Sequence, residues 1–315
     1  MTLFTRKAAV VSIAALLLLA GCQGASSSPS ASVAASVATS AAPTASPTPA
    51  PVATVPSSQL AFAGILTVCI DIPYPPQEFF DANGNPTGSD VDIATEIARR
   101  LGLTVRVENS VFSTIIAAVT SGKCDIIVSA QNITADRLKQ VNMVPYFQAG
   151  QAFVVAKGNP AKIKTDLDLC GKKVAAQTGT TEVDYVNGTG DFVGAGLNKQ
   201  CAAAGKANVV LSLFEKDSDA LLALSSGQAD AYFADSPVAG YYTVQKPDQF
   251  ELSGVTVAIA KEGISVPKDK KELADGVVAA LKAMMADNTY TQILAKYGVQ
   301  TGAITASEVK VATGT

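Results

Sequence analysis

Few side chains in this sequence are equipped for chemistry, and they are better suited to holding a molecule than to transforming one. Histidine is absent, so no imidazole exists for a nucleophilic triad or a proton shuttle. Asp71, Glu78 and Asp235 are the carboxylic acids that could act, and no pattern marks one as catalytic. Arg137 offers a planar fork of five donors, which suits a bidentate grip on a carboxylate. On spacing alone a surface arginine of the 137–140 turn is the plainer reading. Thr180 and Thr181 follow Gly179 and precede a helical stretch. Their hydroxyls and free N–H groups can meet an anion or simply cap the helix. Asp235 ends a short apolar strand two residues before Pro237, where it or Ser236 can also serve as a cap.

Four of the five cysteines follow Cys22, and none forms a CxxC. A zinc or iron–sulfur site would need all four thiolates to converge, so no metal or cofactor is expected. Cys170 and Cys201 lie 31 apart in loop-like surroundings and are expected to bridge. Cys69 and Cys124 each sit against a strand, and either pair or remain buried thiols.

The even count fits an exported chain, and the amino terminus reads that way. Arg6 and Lys7 precede an apolar run at 8–19, too short to span a membrane, that ends in Leu19-Ala20-Gly21-Cys22. This looks like a lipoprotein signal, residues 1–21, with Cys22 as the lipidated residue. From Ala25 to Ser58 the chain is only Ala, Ser, Pro, Thr and Val, and 22–59 carries no charge, which predicts a disordered tether over 22–59. The whole chain has 24 Lys and Arg against 27 Asp and Glu, net −3, which excludes a basic nucleic-acid face. Localisation on the extracytoplasmic face of a bacterial membrane, through a lipid anchor, follows as the expectation.

These residues must be positioned by an alternation of short strands and helices. Strands are predicted at 66–70, 104–107, 125–129 and 231–234, and helices at 91–101, 112–120 and 271–286. That is an α/β pattern with a mostly parallel sheet. Ala118-Val119-Thr120-Ser121-Gly122-Lys123-Cys124-Asp125 is similar to Ala223-Leu224-Ser225-Ser226-Gly227-Gln228-Ala229-Asp230, an offset of 105, and the strand at 66–70 has a counterpart at 172–176. Two similar lobes, with a cleft at the carboxyl ends of their strands, follow.

Five segments of the first lobe carry a resemblance: Asp71-Ile72-Pro73-Tyr74-Pro75-Pro76-Gln77-Glu78-Phe79, Gly88-Ser89-Asp90-Val91-Asp92, Ser121-Gly122-Lys123-Cys124-Asp125, Asn132-Ile133-Thr134-Ala135-Asp136-Arg137 and Val141-Asn142-Met143-Val144-Pro145-Tyr146-Phe147. The second lobe adds Gln177-Thr178-Gly179-Thr180-Thr181 and Ala234-Asp235-Ser236-Pro237. In order and over residues 62–300, these resemble the family 3 extracellular solute-binding proteins, the polar amino acid receptors of ABC importers.

The resemblance implies a two-lobed periplasmic-binding-protein-like fold, each lobe a mixed, mostly parallel sheet flanked by helices, joined by two hinge crossings. Lobe one is placed at 60–152 and 253–300, lobe two at 153–252, and a flexible tail at 301–315. It also implies that Arg137, with Thr180 and Thr181, holds an α-carboxylate, that Asp235 receives the α-ammonium, and that Tyr74 and Phe112 enclose the carbon chain. Ser129, Ala130 and Asn132 line the same site, though Asn132 and Ala130 depart from the residue types frequent there, and Gln77 replaces the usual Phe. Asp71 could face a cationic side chain, which leans the ligand toward a polar or basic amino acid.

The implied partners are a free amino acid and a membrane ABC permease, with the protein monomeric and no nucleic acid involved. A sensory or ligand-presenting lipoprotein of the same fold is one alternative. A dehydratase-like enzyme, which would need a carboxylic acid of raised pKa beside its substrate, is another.

Overall fold

The computed structural model describes residues 50–314; the expected signal peptide, Cys22 and the tether up to residue 49 lie outside the described residues. The central strands are short apolar runs buried on both faces. β1 (Ile65–Ile70) has Leu66, Val68, Cys69 and Ile70 wholly buried, as a strand covered by helices on each side requires. A two-stranded ribbon, β2 (Phe79–Phe80) and β3 (Pro86–Thr87), occupies the loop that follows. It leads into α1 (Ser89–Arg100), which buries Val91, Ile93, Ala94, Ile97 and Ala98. Asp90 and Asp92 in its first turn and Arg99 and Arg100 in its last oppose the helix dipole.

β1 pairs in parallel with β4 (Thr104–Asn109) on one side and β5 (Ile126–Ile127) on the other. Between these two comes α2 (Ile115–Thr120), preceded by a separate 3-10 turn at Phe112–Thr114 rather than continuous with it. After α3 (Ala135–Gln140) the chain enters β6 (Val141–Ala156), then the second half: β7 (Lys173–Gln177), α4 (Thr181–Asn187), α5 (Leu197–Ala203), β8 (Val210–Phe214), α6 (Asp217–Ser225), β9 (Ala231–Asp235) and α7 (Ser236–Gln245). It returns along β10 (Phe250–Pro267) to α8 (Lys271–Ala286) and α9 (Thr289–Lys296).

The sheet order is β4-β1-β5-β10-β6-β9-β7-β8. The long antiparallel pair β6 and β10 joins a parallel trio at each end, and its register shifts three times, the last between Glu262 and Gly263. The two trios share one topology, with β1 between β4 and β5 and β7 between β8 and β9. This explains the repeat seen in the sequence. Gly122 and Gly227 both take positive φ, 80° and 74°, to end a helix. The aspartate three residues later then bonds the backbone of the neighbouring strand: Asp125 accepts from Thr67 N–H at 2.6 Å and Asp230 from Lys173 N–H at 2.8 Å.

Cys69 is bonded to Cys124, and Cys170 to Cys201, with Cα–Cα separations of 5.7 and 5.6 Å. The first ties β1 to the turn before β5, so the pair left open by spacing is a bridge rather than two buried thiols.

Two segments expected to be loose are packed. Residues 50–59 are not tether: Val52 N–H donates to Arg100 O at 2.9 Å, and Val55 and Leu60 join the first core against α1 and α8. Nor is 301–314 a flexible tail. Ile304 and Val309 are buried in that same core, and Met143 and Ala312 exchange backbone bonds of 3.0 and 2.7 Å. In each case a few apolar residues in a polar-looking stretch find a complementary surface that no local pattern announces.

Candidate ligand-binding site

The loops at the carboxyl ends of β1, β5, β7 and β9 converge on one narrow cleft. All ten residues named from the sequence line it. Asp71 and Tyr74 come from the loop after β1, and Phe112 from the 3-10 turn before α2. Ser129, Ala130 and Asn132 follow β5, and Arg137 lies in the first turn of α3. The second half contributes Thr180 and Thr181 at the start of α4, and Asp235 at the end of β9.

Arg137 is held by its own half and the opposite one. Its Nη1 donates to Asn132 O at 2.8 Å and its Nη2 to Gly179 O at 3.2 Å, with the guanidinium carbon 5.4 Å from the centre of the Phe112 ring. The remaining donors of the fork are free for the cleft. Arg137 is therefore a buried group and not a surface arginine of its turn. Gly179 allows this approach: at φ +85° it has no Cβ, and one placed there would sit 3.1 Å from Ser113 Cα across the cleft.

The two threonines behave differently. Thr181 Oγ1 accepts from Asn132 Nδ2 and from Gln151 Nε2, each at 2.7 Å. Its lone pairs are thereby occupied, and the hydroxyl has only its hydrogen left to offer, which suits an anion. Thr180 Oγ1 instead donates to Gln177 O at 2.8 Å, so of the two hydroxyls expected to meet one carboxylate only that of Thr181 keeps its hydrogen. Neither makes a side-chain cap of α4.

Asp235 is 4 % exposed, and its carboxylate makes no cap bond to α7. Oδ2 accepts from the Tyr74 hydroxyl at 2.9 Å while Oδ1 has no partner. Burial pushes Asp235 up to about 7 despite the Tyr74 bond and the charge of Arg137. At the other end Asp71 takes a short bond from Gln177 Nε2, and burial holds it up at about 6. Ala130 adopts φ +46°, a left-handed conformation that disfavours a Cβ and explains why Gly suits this position. Its N–H bonds Asp90 Oδ2 at 2.9 Å, leaving its carbonyl available.

Residues 66–300 match the model of the bacterial extracellular solute-binding proteins, family 3. The chain belongs to this family. A relative in Corynebacterium glutamicum, the arginine-binding protein ArgT, is 29 % identical over 251 residues, 79 % of each chain. The glutamine-binding protein GlnH of an ABC transporter in Bacillus subtilis is 30 % identical over 69 % of this chain and 74 % of its own. Among solved structures, an ancestral arginine-binding protein bound to glutamine superposes with TM-score 0.67 at 37 % identity, covering 75 % of this chain and 98 % of the other. These family 3 structures share the mixed sheet with flanking helices described above.

Three cleft residues escaped the sequence reading as ligand contacts: Glu78, Gln177 and Glu182. Glu78 and Gln177 stood inside motifs already singled out, and their neighbours drew the attention. Glu182 carried no signal beyond its place in a helical first turn. Burial, and then neighbouring carboxylates, hold Glu78 and Glu182 well above the usual carboxylate range. Raised acids of this kind are also what a dehydratase would need, but here burial causes them, and the family is one of binding proteins.

Proposed function

We propose that this family 3 protein captures a basic amino acid of the arginine type outside the cytoplasm, closes over it, and delivers it to an ABC permease. One observation carries the reading: of the four carboxyl side chains that line the cleft, burial raises Glu78 and Glu182 well above the usual carboxylate range, which leaves Asp71 and Asp235 as the acids that ionise against a single cationic side chain, Arg137. A zwitterionic head uses one carboxylate and one cation, so a surplus of acid favours a second positive charge on the ligand. Asp71, joined across the cleft to Gln177, is the acceptor for that charge. Arg137 and the Thr181 hydroxyl hold the α-carboxylate, Asp235 the α-ammonium, and Tyr74 and Phe112 the aliphatic stem, with Ser129, Ala130 and Asn132 shaping the first half of the wall. The names of the relatives, arginine- and glutamine-binding proteins among them, support a polar or basic amino acid.

The segments 60–152 with 253–300, and 153–252, act as lobes hinged on β6 and β10. Closure is favoured because only the closed state lets ligand touch Arg137 and Asp235 together. The chain works as a monomer, anchored by lipid at Cys22 through the uncharged segment that follows. The test is thermal shift against the twenty amino acids, followed by calorimetry: arginine and lysine should raise the melting temperature most. A response confined to acidic or apolar amino acids would overturn the reading. Cys22→Ala should release the protein from membranes, and unchanged partitioning would remove the anchor from it.

A further inference from the structure

The head-group end of the cleft contains one carboxyl more than an amino acid needs. Glu182, in the first turn of α4, is 3 % exposed, lines the cleft, and leaves its Oε1 buried without a partner. The charged and titratable groups that face it are Arg137 from α3, Asp235 at the end of β9, Tyr74 from the loop after β1 and Tyr232 within β9. Arg137 alone among these is a cation, and the Asp235 carboxyl already stands beside it.

Consider the site with a ligand head in place. Arg137 and the α-ammonium supply two positive charges. The α-carboxylate, Asp235 and Glu182 would supply three negative ones in a space closed to water. Two like charges in such surroundings do not both persist; one takes a proton. Asp235 meets the ammonium and gains by ionising. Glu182 shares the cleft wall with Arg137 and feels its charge without pairing to it; with the ligand carboxylate on Arg137, it gains by staying neutral. A protonated carboxyl has an O–H to give, and the carboxylate is the acceptor within reach.

We propose that Glu182 is a further ligand-binding and specificity-determining residue, which acts as a protonated acid donating a hydrogen bond to the ligand's α-carboxylate beside Arg137. In the empty cleft Asp235 and Glu182 share a proton; arrival of the ammonium ionises Asp235 and leaves the proton on Glu182. Near neutrality any proton that Asp235, titrating at about 7, holds beyond this shared one is released on binding, and none need be taken up. At higher pH Glu182 ionises in the empty cleft, repels the incoming carboxylate, and must regain a proton for the ligand to bind. Burial and the Asp235 charge, both of which hold the Glu182 proton, place this loss well above the usual carboxylate range. The selectivity that results is for molecules with the α-amino-acid head, and it discriminates by pH. This rests on the amino acid reading of the cleft but not on which side chain the ligand carries.

The test uses Glu182→Gln, an isostere of the neutral acid, with L-arginine as the probe and L-glutamine as a second probe with the same head. Calorimetric titration at pH 7 should give affinities for the variant within about threefold of the wild type, since the amide replaces one neutral donor by another. Once the pH passes the point where Glu182 ionises in the free protein, the wild type should lose about tenfold per pH unit relative to the variant, because a proton must be regained for the ligand to bind. The ligand's own α-amine titrates equally for both proteins and cancels from the comparison. Parallel pH profiles, or a variant weakened tenfold or more at pH 7, would overturn the role. Should the variant fail to fold, titration of the wild type at several pH values from 7 to 10, in buffers of different ionisation enthalpy, decides: proton uptake beyond the α-amine's own share that grows with pH supports the role, and none at any pH refutes it. Binding of glutamine but not arginine would end the basic-ligand reading and leave the Glu182 proposal to be judged on glutamine. Binding of neither would overturn both.

Discussion

The Tyr74 hydroxyl and Asp235 are joined twice across the cleft: the hydroxyl donates to Oδ2 at 2.9 Å and accepts from the Asp235 backbone N–H at 2.9 Å. The two residues are 161 positions apart, on opposite halves of the sheet. A single phenol thus holds the carboxylate in place and tethers the end of β9 to the loop after β1. Tyr74→Phe keeps the apolar wall and removes both bonds. We expect ligand affinity to fall about 5- to 30-fold, corresponding to about 1–2 kcal/mol for hydrogen bonds of which one is to a charged group. Small-angle scattering of the unliganded variant should shift toward a more open form. An unchanged affinity would mean that the bridge does not bias closure.

The carboxylate clamp is separable from the ammonium site. Arg137→Ala should weaken amino acid binding by about 2–5 kcal/mol, roughly 30- to several-thousand-fold, because it strands a desolvated carboxylate. Arg137→Lys should recover part of this, since a point charge cannot reproduce two parallel donors. Asp235→Asn should weaken the amino acid more than its des-amino analogue. Calorimetry on these variants checks the assignment, and an Asp235→Asn effect equal for both compounds would place the ammonium elsewhere.

Stability of the ligand-free protein should fall as pH rises from about 4 to about 7. Asp71 and Asp235 titrate at about 6 and about 7 in the fold against 3.8 ordinarily. The folded state therefore binds more protons than the unfolded chain in this window, and ∂ΔG/∂pH for unfolding is negative there. The contribution is fully present below 3.8 and lost as pH passes through the two folded values. Carboxylates lowered in the fold, such as Asp287 and Glu308, each at about 2, act with the opposite sign at more acidic pH. Saturating cationic ligand should flatten the fall, because it stabilises both carboxylates ionised. Chemical denaturation at pH 5, 6 and 7, with and without ligand, measures this.

Reduction should cost stability at both bridges. The Cys170–Cys201 bond closes 31 residues and the Cys69–Cys124 bond 55, which the loop-entropy relation converts to about 4 kcal/mol each. Peptide mapping without reduction should recover both linked pairs. Thermal melting of Cys170→Ala/Cys201→Ala and Cys69→Ala/Cys124→Ala doubles against the wild type gives the magnitudes, and a loss under about 1 kcal/mol would point to residual structure in the unfolded chain.

What the sequence determined by itself is local and periodic. The ten cleft residues were named through the family resemblance, and they line one cleft; from the residues alone, helical spacing marked α1 and α8, and the Gly122 and Gly227 repeats marked two related halves. Such features are legible because helix faces, left-handed glycines and buried strands each constrain residue type at fixed intervals.

Only the tertiary structure decided the rest. That Thr181 must donate while Thr180 already spends its hydrogen depends on where Asn132 and Gln151 arrive, 49 and 30 positions away. That Glu182 is an acid facing Arg137 rather than a solvated first-turn glutamate, and that Ile304 and Val309 are core rather than tail, depends on surfaces contributed by distant segments. Hydrogen-bond capacity, burial and proton affinity belong to a neighbourhood in space, and no interval along the chain encodes them.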